Sequence, residues 1–92
     1  MELLIKALAE VSGHDESLIL AELKSSTEIE VTYIIVDEAQ TDALVGELEK
    51  ETFADDLTTK AKENGADSFA VTSADSPVIE DVIGKPYVQH RI

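Results

Sequence analysis

Apolar and polar positions alternate most regularly in the stretch EIEVTYIIV, residues 28–36. There Ile29, Val31, Tyr33 and Ile35 point one way and Glu28, Glu30 and Thr32 the other, the period of two of a half-buried strand. Ile34 and Val36 break the alternation. The far end of this strand is therefore covered on both faces or presents a small apolar patch beside the glutamates, and an apolar spot rimmed by charge has the character of a binding surface. Upstream, ELLIKALAEVSG sets Leu4, Leu8 and Val11 at helical spacing with Ile5 and Ala9 beside them, which predicts a helix over residues 2–12 closed by Gly13. The apolar run LILAELK fits a strand or a helix capped by Asp15; the compact KSST before so plain a strand favours a hairpin.

Downstream, Thr41 is a candidate cap for a helix whose inward stripe is Ala43, Leu44 and Leu48. Phe53, Leu57 and Ala61 recur at spacing four and Gly65 follows, so the stretch DEAQTDALVGELEKETFADDLTTKAKENG, residues 37–65, reads as two short helices or one bent one. DSFAVTS alternates Phe69, Val71 and Ser73 against Ala70 and Thr72 and predicts a third strand. The remainder holds both prolines and a glycine and reads as irregular, with Tyr87 and Val88 able to add an edge strand. This pattern gives one acidic α+β domain over residues 1–80 and a tail or edge segment over 81–92. Its core is formed by Leu44, Leu48, Phe53 and Leu57 beneath Ile29, Val31, Tyr33, Phe69 and Val71.

A single domain also follows from length, because 92 residues with 43% hydrophobic content bury only about 60–65% of their unfolded surface, too little to divide. Composition then narrows the partners. Twenty Asp and Glu against seven Lys and Arg leave a formal charge of −13, beyond the magnitude of roughly 2–8 usual for a small domain. That field repels nucleic-acid backbones and anionic lipid and favours basic surfaces. The absence of cysteine removes disulfides, thiolate metal sites and cysteine nucleophiles. No apolar run approaches the roughly 20 residues that span a bilayer. The N-terminal MELLIKALAEV, with Glu2 ahead of its apolar residues, lacks the basic region of an export signal.

Helix, strand, hairpin, strand, helical stretch and strand, in that order, resemble the ferredoxin-like core of SEA-type modules, of the kind repeated in large surface proteins of algae and other protists. The residues that carry the likeness are VTYIIV, the spaced ALV, FADDLTTKAKENGA and the closing FAVTSADSP, over about residues 4–78. The resemblance implies a two-layer sandwich, an antiparallel sheet of three to four strands with helices on one face. Many such modules cut their own backbone at a Gly-Ser bond. With Val31 and Tyr33 as anchors, Thr27 and Glu28 take those positions, and Glu28 has no hydroxyl with which to attack, so the chain resembles a non-cleaving member. The strand that usually precedes the first helix is missing, and only PYVQHRI at the other end is left to supply it.

The candidate chemistry is sparse. His14 beside Asp15 and Glu16 reads as a solvated turn, and His90 as part of a tail. Asp55 with Asp56, and Asp75 with Glu80 and Asp81, lack the alternating spacing and central glycine of a calcium loop. No Gly-x-Ser-x-Gly turn or phosphate-cradling glycine cluster occurs. The reading is a non-enzymatic protein-interaction or structural module, an accessory piece of a larger assembly. It uses no cofactor and no metal, and it binds a protein with a basic surface through Glu22, Glu28, Glu30, Thr32 and Ile34. A second reading, motivated by the charge, is an acidic inhibitor that mimics nucleic acid in the basic groove of another protein.

Overall fold

The computed structural model describes residues 2–26, 28–66, 71, 74–82 and 85–92. Helix α1 (Glu2–Ser12) leads through a 3-10 turn (Glu16–Leu18) into strands β1 (Ile19–Leu23) and β2 (Ile29–Ile34). Helices α2 (Ala39–Leu48) and α3 (Phe53–Glu63) follow, then strands β3 (Val78–Val82) and β4 (Lys85–Arg91). All pairings are antiparallel and the strand order is β1-β2-β4-β3. The fold is α+β, with the apolar faces of the helices and one face of the sheet sharing a core.

Local chemistry explains the element ends. Gly13 closes α1 at φ 71° and Gly65 follows α3 at φ 106°, conformations that a Cβ would disfavour. Asp15 accepts from the backbone N–H and the hydroxyl of Ser17 and starts the 3-10 turn, so residues 19–23 are free to form a strand. The hairpin reading of KSST holds: Lys24 and Ser25 both donate backbone N–H groups to the Glu28 carbonyl. Thr41 is not the cap of α2. The helix begins at Ala39, whose N–H is received by the Asp37 carboxylate 3.0 Å away, and Ala43 lies exposed while Leu44 and Leu48 are buried.

The core joins Leu4, Ala7 and Leu8 of α1, Leu44 and Leu48 of α2, and Phe53, Leu57 and Ala61 of α3 to Ile19, Val31, Tyr33 and Val88 of the sheet. Ile29 and Val71 pack at its margin. The expected strand over DSFAVTS lies mostly outside the described residues; Val71 itself is not in a strand, and its backbone N–H is held by the Thr58 hydroxyl.

The C-terminal segment departs most from expectation. Strands β3 and β4 pair antiparallel, and β4 is neither tail nor edge but a central strand, paired with β2 on one side and β3 on the other. Pro86 is tolerated because it sits at the start of β4, where a missing N–H costs least. β4 occupies the place held by the first strand of a βαββαβ ferredoxin-like chain, between the strands that come third and fourth there.

Candidate functional site

Strand alternation and the pairing register together divide the sheet into two faces. Toward the helices, one row across the strands is Ile19, Tyr33, Val88 and Ile79, and the next is Ala21, Val31 and His90. The face away from the helices carries Leu20, Thr32, Gln89 and Val78 in one row. Ile34, Tyr87 and Glu80 stand on one side of that row, and Glu22, Glu30 and Arg91 on the other. Burial separates the two over β1, β2 and β4, where Tyr33 and Val88 are 0% exposed and Leu20 is 56% exposed; on the edge strand β3 both Val78, at 52%, and Ile79 on the helix side, at 55%, are exposed. The open face is thus a neutral and apolar strip beside a charged row.

All five expected contact residues fall on this face or its border. Glu22, Glu30, Thr32 and Ile34 project from β1 and β2, and Glu28 continues the Glu30 side just before β2. Glu28 and Glu30 share one face, but cations stand beside them. Arg91 places Nη1 3.1 Å from Glu28 and Nη2 3.8 Å from Glu30. Lys24 places Nζ 3.5 Å from Glu22 and 3.7 Å from Glu30. Gln89 donates its amide to Glu30 at 3.2 Å and to the Thr32 hydroxyl at 3.0 Å. Glu22 faces Glu30 directly across the hairpin, a like-charge pairing that the two cations offset.

The residues missing from the sequence reading are therefore Leu20, Lys24, Val78, Tyr87, Gln89 and Arg91. A signal for three of them existed: in KPYVQHR, Tyr87, Gln89 and Arg91 alternate with Pro86, Val88 and His90, a strand period interrupted only by the proline at its start.

Both histidines are buried rather than solvated. His14 is 7% exposed, and its Nε2 lies 2.8 Å from the Ile34 carbonyl, which only accepts, so that nitrogen carries the proton. The ring ties the end of α1 to the end of β2. His90 is 3% exposed, with Nε2 2.8 Å from the Tyr33 hydroxyl and its ring 5.5 Å from that of Phe53. Burial pushes its pKa down to about 4, against a smaller upward pull from the Asp75 backbone and carboxylate. Burial likewise raises the Tyr33 phenol well above its ordinary range.

Two acidic groups elsewhere have structural duties. Asp55 and Asp56 lie in the first turn of α3, where the helix dipole favours them, and Thr52 donates to Asp56 at 3.1 Å. Among the described residues no three His, Asp or Glu side chains converge as a metal site, and no helix is long and apolar enough to cross a membrane. No protein-family model, curated protein or solved structure matches the chain.

Proposed function

We propose that this domain is a non-enzymatic interaction module, an accessory piece of a larger assembly, and that it binds through the open face of its sheet. One observation carries the reading: the exposed strip of Leu20, Ile34 and Val78 lies beside the glutamate row and stands opposite the face that forms the core. Exposed apolar side chains on a layer already packed on its other side suit burial by a partner. The partner is a protein that brings apolar side chains to the strip and cations to Glu22, Glu28, Glu30 and Glu80, in keeping with a formal charge of −13. Thr32 and Gln89 supply polar contacts between the two zones.

The likeness to non-cleaving SEA-type modules belongs to this proposal. It is supported by the ferredoxin-like strand neighbours and by Glu28 at the place of the attacking hydroxyl. The acidic-mimic reading draws on the net charge alone. Pairing of Glu22, Glu28 and Glu30 with Lys24 and Arg91 gives it less support than the apolar strip gives the first reading.

Lysine cross-linking of native complexes at low salt tests the proposal. Lys24 stands at the border of the open face, whereas Lys60 and Lys62 belong to the last turn of α3. Partner cross-links are expected at Lys24. Cross-links confined to Lys60 and Lys62, or a protein that stays monomeric and partnerless at low salt, would remove the open face from consideration.

A further inference from the structure

The Tyr33 and His90 side chains meet inside the core, across the two central strands, with Tyr33 Oη 2.8 Å from His90 Nε2. Tyr33 is 0% and His90 3% exposed. We assign the neutral ring's proton to Nδ1, on the side of the Asp75 backbone, so that the Tyr33 hydroxyl donates to Nε2. Nδ1 itself makes no well-formed hydrogen bond among the described residues. A second proton has to go to Nε2, the atom that already receives the Tyr33 hydrogen. The hydroxyl must then turn round and accept, and its own hydrogen loses its only acceptor among the described residues.

Protonation therefore places a charge and a further unsatisfied donor in the core at once, both costly at a buried position. The groups facing the pair offer little relief. Phe53 of α3 presents an uncharged ring 5.5 Å from His90, and His14, after α1, presents its ring edge 6.0 Å from Tyr33. Among the described residues Asp75, before β3, is the anion that favours a charged His90.

We propose that the Tyr33 and His90 pair is an acid-sensitive latch between β2 and β4, closed while His90 is neutral and released when the ring takes up a proton. The sign follows from linkage. A histidine whose folded pKa lies below its unfolded value contributes stability that is complete above about 6.5 and is lost as pH falls toward about 4. Across that window the folding equilibrium constant falls by on the order of 100-fold through this group. Protonation of the acidic excess relieves self-repulsion and acts the other way, whereas Asp15, held below its ordinary range by hydrogen bonds from Ser17, loses its stabilising contribution as the pH falls. The latch is therefore read as a difference between proteins sharing that background.

The experiment follows the imidazole carbon and nitrogen shifts of His90 from pH 7.5 to 3.5. Urea unfolding of wild type, His90→Phe and Tyr33→Phe is measured over the same range. A neutral ring protonated on Nδ1 is expected to persist well below pH 6.5, with wild-type stability falling relative to His90→Phe between pH 6.5 and 4. A ring that titrates near 6.5 in an intact fold, or parallel pH curves for wild type and His90→Phe, would overturn the latch. Should His90→Phe not fold, the wild-type ring titration decides the matter by itself, and Tyr33→Phe is expected to shift it.

Discussion

Glu30 of β2 and Arg91 of β4 are register partners across the two central strands, guanidinium to carboxylate 3.8 Å, and the same guanidinium reaches Glu28 at 3.1 Å. The single arginine of the chain thus holds the glutamates that a partner would otherwise meet bare. Arg91 and Glu28 are about half exposed, so water and salt screen most of their attraction.

Replacing Arg91 by Ala is accordingly expected to change stability by no more than about 1 kcal/mol, the scale of exposed ion pairs. Urea denaturation at low and high salt checks it. A loss well above that scale would assign Arg91 a structural role.

Glu28→Gln together with Glu30→Gln is expected to leave the melting curve nearly unchanged while flattening the salt dependence of partner binding. Affinity at two salt concentrations reads this directly. Equal salt dependence in wild type and double variant would confine the two glutamates to solvation.

Phe53 is 2% exposed and touches His90. Phe53→Ala is expected to cost about 3–5 kcal/mol, the range for truncating a fully buried aromatic ring. A cost below about 1 kcal/mol in urea unfolding would contradict its place in the core.

Deleting residues 87–92 is expected to abolish cooperative folding, because it removes the paired central strand and with it Val88 and His90. Circular dichroism and a thermal melt suffice to check it. A cooperative melt in the truncated chain would mean that β4 is dispensable.

The contrast between the two hairpins shows what the sequence made legible. Over residues 19–34 the apolar positions and the KSST turn agree, and a one-residue slip would turn Val31 and Tyr33 out of the core, so hairpin and register are strongly specified. In β4 the same alternation is present, but Pro86 and the chain end argue for an edge or a tail. Only pairing on both sides, with β2 and β3, places it in the centre. His90 was obscured by the same inference, since a histidine near a terminus carries no local mark of burial. The candidate face was half legible: Glu30, Thr32 and Ile34 follow from the period of β2. Gln89 and Arg91 come from residues about 60 positions away, a contact that no local pattern encodes.

The central claim is that the open sheet face is the contact surface, and the affinity of the partner for Leu20→Asp with Ile34→Asp tests it most directly. Leu3→Asp on α1, 41% exposed, serves as the control for an added charge elsewhere. Both side chains of the open-face pair are exposed, at 56% and 37%, so the fold is expected to survive with its melting temperature little changed. The account predicts that the open-face variant binds at least roughly tenfold more weakly than wild type, as when contact residues are lost from an interface, while the Leu3 variant binds as wild type does. Wild-type affinity in the open-face variant, with folding intact, would contradict it.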